Sequence, residues 1–456
     1  MRRLACIGLS VSSMLWLGGC ASGNDYVRPA IELPPKYQAA QLDTSHSAVK
    51  GTWWTQFGDP MLVKLVGEAV EANLDVRQAA LRVIEYQHLL RATEAMARPQ
   101  VGVSANAAGT NAASSFQVGL SVSWEVDFFG RLQRMKEAAA ADLMSQEYGR
   151  QAVLLGVVSG VASSYLQLRE YDARLALIRL TVQGREEQLR VARLRQEAGL
   201  TSQLEVSQRK GELESTLLSQ QQLELQISTK QTEIGILLGK PYGMDQRGLG
   251  IDQLRAPLVP AGVPAELLQR RPDVMQAEQV LVSANAQRGV ARANLMPRIT
   301  LSPNIATTAT QLAGLFAGAA QSWSIGAGLS GTAYSGGSLQ AQVRASDARS
   351  DQAFIAYQKA VISAVREVED ALTTLDKSTQ ILASQRKLVS DAREYVRVAR
   401  LRYENGMSSN LEVIDSQRNL FAAEQAEIQT LSNTLQAAIA LYKATGGAWE
   451  GTPRPQ

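Results

Sequence analysis

Few residues in this chain could do covalent or metal chemistry, and the first of them is Cys20. It closes the run Leu17-Gly18-Gly19-Cys20, behind the positive start of Arg2 and Arg3 and an apolar core from Leu4 to Leu17. That pattern reads as a secretory signal over 1–19, too short to span a bilayer comfortably. Its end resembles a bacterial lipobox: small residues give a peptidase access to the backbone, and the Cys20 thiol becomes the attachment point of a covalent lipid. Ala21 stands where an aspartate would signal inner-membrane retention, so sorting to the outer membrane is expected. The other cysteine, Cys6, leaves with the signal, so no thiol remains for disulfides, thiolate catalysis or zinc. His46 and His88 are the only histidines and read as solvated surface residues. Neither a phosphate loop, a metal cluster nor a catalytic triad is present, so no catalytic residue, no metal and no cofactor beyond the Cys20 lipid is expected.

The remaining candidates are carboxylates beside two turns. Ala198-Gly199-Leu200-Thr201 and Asn405-Gly406-Met407-Ser408 each carry a glycine able to take positive φ and reverse the chain. Glu205 follows the first turn, and Glu412 and Asp415 follow the second. Glu412 and Asp415 are three residues apart, so on a helix they share a face. Repeated around a symmetry axis, such acids form a ring that attracts cations and repels itself. As plain helix surface they would simply be solvated.

The elements that position these residues come twice. "RVARLRQEAGLTSQLEV" from Arg190 and "RVARLRYENGMSSNLEV" from Arg397 match at 12 of 17 positions with an offset of 207. Upstream the offset is 198: Pro99 aligns with Pro297, and "VSANAA" at Val103 with "LSPNIA" at Leu301. A nine-residue insertion in the second copy is therefore expected before Trp323, in the loop around "TATQLAGLFAGAAQ".

Each copy reads as helix, strand, strand, long helix, turn, helix. Phe116, Val118, Leu120, Val122, Trp124 and Val126 alternate with small or polar residues, a period of two. Their partner strand is expected over about 100–108, and the second copy gives strands over about 298–307 and 323–333. Each approaches the roughly 9–11 residues that a tilted strand needs to cross hydrocarbon. A proline-free helix is expected over 131–197, about 100 Å at ~1.5 Å per residue. Helices over 204–239 and 264–295 would return along it as two half-lengths, Gly239-Lys240-Pro241-Tyr242-Gly243 ending the first. The second copy repeats this with helices over 339–404 and 411–445, and a helix over 60–98 supplies its missing half.

Net charge of +3 gives no reason to expect nucleic acid. No later run reaches 18 consecutive apolar residues, so a transmembrane helix is not expected, and a chain crossing the outer membrane must use a closed barrel. Four strands cannot close one, because open edges are not tolerated in lipid. Two, three or four copies would give 8, 12 or 16 strands. The fold class is thus mixed α and β with two internal repeats. The divisions are a signal at 1–19, an extended tether at 20–59, repeat 1 at 60–262, repeat 2 at 263–447 and a tail at 448–456. A pore-free coiled-coil lipoprotein spanning the periplasm is the alternative reading. A lipoprotein enzyme is opposed by the lack of convergent acid, base or nucleophile.

Several segments resemble the TolC-like outer membrane factors, specifically the NodT-type outer-membrane efflux lipoproteins. They are "WWTQFGDPMLVKLVGEAVEANLDVRQAALRV" from Trp53, "SWEVDFFGRL" from Ser123, "LLGKP" from Leu237, "ELLQRRPDVMQAE" from Glu266 and "LMPRITLSPNIA" from Leu295. "DYVRPAIELPPKY" from Asp25 resembles the tether that follows the lipidated cysteine. The resemblance implies a homotrimer with a twelve-stranded outer-membrane β-barrel, four strands per chain, continuous with a long periplasmic α-helical barrel. It implies a passive conduit in a tripartite efflux or export system, opened by a periplasmic adaptor and an inner-membrane pump, often of the RND class. The tips Gly199, Leu200, Thr201, Gly406, Met407 and Ser408 would meet the adaptor. Glu412 and Asp415 match the acidic residues of the periplasmic constriction, and Tyr403 and Glu205 its tyrosine–carboxylate contact. Ser408 departs from relatives that carry arginine there, with Arg402 and Arg418 as candidate substitutes.

Overall fold

The computed structural model describes residues 23–37, 52–111, 113–256, 264–316 and 321–447. The signal, Cys20, His46 and the tail at 448–456 lie outside the described residues.

In chain order the elements are α1 (Pro60–Ala72), α2 (Leu74–Ala95), β1 (Gln100–Gly109), β2 (Ser114–Val126), α3 (Arg131–Glu197) and α4 (Gln203–Leu237). After a short helix at Leu267–Arg270 come α5 (Pro272–Ala293), β3 (Arg298–Ala309), β4 (Gln321–Ser330), α6 (Ser338–Glu404) and α7 (Asn410–Ala444). Helices α3 and α6 are both 67 residues long, and α4 and α7 both 35. The longer second-copy connection lies between β3 and β4 and contains a helical turn at Leu312–Phe316. Strand β4 begins and ends earlier than the sequence pattern suggests, because Gln321 and Ser322 already pair with Thr307 and Ala306.

Two expected helices are broken, each for a local reason. The helix over 60–98 stops at Asn73, which sits in extended geometry. Its side-chain oxygen accepts from the backbone N–H groups of Asp75 and Val76, capping α2, while its amide donates to the Leu237 carbonyl at 2.8 Å. The helix over 264–295 breaks at Arg271, ahead of Pro272 at the first position of α5. Helix α3 also contains an 18-residue window apolar enough to cross a membrane by composition, but most of that window is buried within the protein. Val158, Val161, Ala162, Tyr165 and Leu166 there are fully enclosed, so core packing accounts for its apolarity.

The chain divides into two compact units, each drawing on both repeats. The first holds the sheet, whose strands run antiparallel in the order β1-β2-β3-β4. Register places every apolar set on one face: Val103 opposes Leu120, Leu120 opposes Ile305, and Ile305 opposes Trp323. Pro303 has no backbone N–H to give, and the β2–β3 ladder skips it. In the same unit, Arg28 of the tether grips the buried Glu278 carboxylate with two hydrogen bonds, 2.6 and 2.7 Å, and Tyr26 donates a third.

The second unit is rooted in a large core. Trp53 stacks on Tyr442 at 5.0 Å between ring centres, with Phe57, Leu62, Leu65 and Tyr165 packed in the same cluster. Its polar centre is Asp59, 1% exposed, which accepts from the Met61 and Leu249 N–H groups and from the Tyr165 hydroxyl. Burial first, then that hydrogen bond, pushes the Tyr165 hydroxyl well above its ordinary pKa.

Candidate functional site

The sheet presents one continuous apolar surface. Val101, Val103, Trp323, Ile325 and Leu329 are exposed large apolar side chains, Trp323 at 76%. On the opposite face the same strands carry Ser104, Asn106, Gln117, Ser121, Asn304 and Ser324. An exposed face of this size and uniformity is not a water-facing surface. Phe116 and Trp124 on that apolar face are eight residues apart in β2. At ~3.3 Å per residue this is about 26 Å along the strand, or about 20 Å of height at the roughly 40° tilt of barrel strands, which fits within an apolar band about 25 Å tall. Strands β1 and β4 are the sheet's edges, so in lipid both need pairing partners from outside the chain.

In the second unit the two tips fold alike. Leu200 N–H reaches back to the Arg195 carbonyl and Met407 N–H to that of Arg402, both at 2.8 Å. Gly199 and Gly406 sit at φ 72° and 70°, the left-handed geometry that closes a helix with this bonding. A Cβ on either would meet nothing within 4 Å. Leu200 and Met407 are 70% and 73% exposed, so each tip offers a bare apolar side chain. Thr201 turns inward, its hydroxyl donating to Glu205. The Ser408 hydroxyl is enclosed without a hydrogen-bond partner.

The sequence-derived gate residues fall into three contacts. The Tyr403 hydroxyl lies 3.4 Å from a Glu205 carboxylate oxygen and accepts from Arg195 at 3.2 Å, linking the two hairpins. Arg402 lies 3.7 Å from Glu412, and Arg418 lies 3.9 Å from Asp415. The two arginines proposed to stand in for the one missing at Ser408 are thus both paired with acids of the candidate ring. Within one chain, Glu205 and the Glu412–Asp415 pair belong to separate contacts.

Sequence reasoning missed a second cluster near these contacts. Glu212 of α4 is bonded by Arg418 of α7, through Nε at 2.7 Å, and lies 3.2 Å from Arg185 of α3. Arg185 also sits over the Phe421 ring at 5.7 Å. Arg209 donates to Gln188 at 2.7 Å and to Asn410. Burial pulls the pKa of Arg185 and Arg209 down, with Glu212 pushing back at Arg185 and Glu205 first at Arg209, whereas the hydrogen bond to Glu212 raises that of Arg418. An open groove of about 660 Å³ lies beside these groups, lined by Thr216, Leu411 and Ile414 among others. A signal was present in the sequence: these are positions where the two repeats disagree. Among the described residues, no group of three or more His, Cys, Asp or Glu side chains could hold a metal ion.

Comparison with known proteins places these features in context. A family model described as outer membrane efflux protein matches residues 65–240 and 263–447, one segment per repeat. The toluene efflux pump outer membrane protein TtgC of Pseudomonas putida is 33% identical, across 97% of this chain and 95% of that protein. The cation efflux system protein CusC of Escherichia coli is 30% identical, across 96% of this chain and 97% of that protein. A crystal structure of the Neisseria gonorrhoeae MtrE outer membrane channel in its open state superposes with a TM-score of 0.86 at 27% identity. It covers 94% of this chain and 98% of its own.

Proposed function

The chain belongs to the outer membrane efflux protein family, and on that premise we propose that three copies close one barrel around a pore gated at the helical tips. As a member of that family it is an outer-membrane channel component of an efflux system, a passive conduit from periplasm to exterior. The observation that carries the shared barrel is the sheet: four strands, one mainly apolar face, and two edges without strand partners among the described residues. Lipid leaves no water to satisfy those edges, so neighbouring protomers supply the missing strands. Twelve strands is our reading of the closure. The acylated Cys20 anchors the N-terminus, and the tether residues Tyr26 and Arg28 hold that anchor to the sheet-bearing unit through Glu278.

The gate reading rests on the polar character of the tips. Tyr403–Glu205 links the hairpins, and Glu412 with Asp415 faces the pore as a threefold-repeated acidic ring, each acid steadied by an arginine. An adaptor meets the exposed Leu200 and Met407 and exchanges these polar contacts for its own. Energy comes from an inner-membrane pump, which we assign to the RND class. Mass measurement of the mature protein in detergent should return three copies, and those copies should conduct ions in a planar bilayer. A conducting monomer would overturn the shared barrel. Fatty-acid labelling should vanish in Cys20→Ala, and its persistence would overturn the anchor.

A further inference from the structure

The two hairpins agree closely at their turns and diverge just beyond them. At the offset of 207, Arg185 faces Ala392 in the alignment, Arg209 faces Ser416, Gly211 faces Arg418, Glu212 faces Asn419 and Glu214 faces Phe421. Apart from the exposed Glu214, the charged or aromatic members of these mismatched positions meet in one place. Glu212 is the carboxylate at its centre, with its side chain only 13% exposed. One oxygen takes Arg418 from the second hairpin, and the other lies 3.2 Å from Arg185 of the first. Arg185 is held in turn by the Glu212 backbone carbonyl at 2.6 Å and by the Phe421 ring of the second hairpin. Arg209, Arg185 and Glu212 line one small cavity. Arg209 is itself buried, and its hydrogen bonds go to the neutral groups of Gln188 and Asn410.

Two guanidinium groups therefore hold one enclosed carboxylate, and a third, Arg209, lines a small cavity with it while its strongest acidic neighbour is Glu205. While Glu212 is charged, it bridges the hairpins. Without that charge Arg185 and the exposed Arg418 are left facing one another across the same boundary, and the attraction that joined the hairpins is lost. We propose that Glu212 is a latch between the two hairpins of each protomer, a positioning residue for the gate that sets how readily the second hairpin swings away from the first. This rests on the reading of the tips as the gate, and it adds a control point on that gate separate from the Tyr403–Glu205 contact. The repeat mismatch supports it: Arg185 and Glu212 came from one copy and Arg418 and Phe421 from the other, and they are complementary only together.

The test is single-channel recording of the mature trimer in planar bilayers, with oligomer mass checked for each variant. Glu212→Gln should raise conductance severalfold over wild type, and Glu212→Asp should restore most of the closed behaviour. Arg418→Gln, which also frees Asp415, should open the channel at least as far, and the double variant should fall short of the sum of the two single effects, because the Arg418–Glu212 contact is common to both. Tyr403→Phe runs beside them to report on the gate reading itself. If Tyr403→Phe opens the channel and Glu212→Gln does not, the latch is wrong and the gate stands. If neither alters conductance, the gate reading fails and the latch with it. Should Glu212→Gln fail to assemble, Arg418→Gln carries the test, since Arg418 is 57% exposed; wild-type conductance there, or additive effects in the double variant, overturns the latch.

Discussion

The roots and the tips of the same helices are built on different physics. At the root, Trp53, Phe57, Tyr165, Leu166 and Tyr442 are essentially fully enclosed, around a buried Asp59 with every contact satisfied from within. Toward the tips the apolar clusters shrink to Leu189, Ala192 and Val206 in one hairpin and Val389, Ala392 and Ala423 in the other. The hairpins are joined there by hydroxyl, carboxylate and guanidinium groups instead. Apolar burial has no substitute partner within reach, so the root cannot open without a cavity. Polar contacts can be exchanged for water or for another protein at small net cost. The proposed gate needs this division, with assembly secured at the root and exchangeable contacts at the tips.

Variants at matched positions of root and tip should therefore behave differently. The largest effect is expected for Trp53→Ala, about 3–5 kcal/mol for an enclosed tryptophan in a core, read as loss of heat-resistant oligomer. An equally stable variant would mean that the root is not the structural centre. Next come the glycines of positive φ. A Cβ on Gly239 would lie 2.5 Å from the Ala72 carbonyl oxygen, and one on Gly446 would lie 2.7 Å from that of Arg270. Gly239→Ala and Gly446→Ala should lower the melting temperature through both backbone strain and overlap. At the tips Gly199→Ala and Gly406→Ala meet open space, so strain alone remains, about 1–2 kcal/mol. Their melting temperatures should fall less, while bulky residues there should reduce export with the oligomer intact. Equal losses at root and tip would remove the distinction. The smallest effect is expected at the ion pairs that the repeats share, Glu187–Arg190 and Glu394–Arg397, both at 2.6 Å and both well exposed. Glu187→Gln and Glu394→Gln should change neither stability nor conductance, because exposed pairs in high dielectric contribute little.

Much of this was legible in the sequence because it is local or periodic. The bounds of α3 follow from an unbroken helical pattern between Gly130 and Gly199, and the strand faces from strict alternation in 116–126. The tip turns follow from glycine and from the repeat itself. The rest depended on partners distant in the chain. Asn73 breaks a helix because the Leu237 carbonyl is there to accept its amide, and Asp59 is a core residue because Tyr165 and Leu249 close over it. Glu212 looked like any helix-surface glutamate until Arg185 and Arg418 were seen on either side. Where two repeats share a backbone, the positions at which they differ carry information that neither copy carries alone.

Ion selectivity reports on whether the tips form a charged, movable gate on a fixed root. Glu412→Gln/Asp415→Asn should assemble as wild type does, yet lose cation preference and block by divalent ions in single-channel recordings. Wild-type selectivity and divalent block in that variant would place these carboxylates on the outer surface and contradict the account.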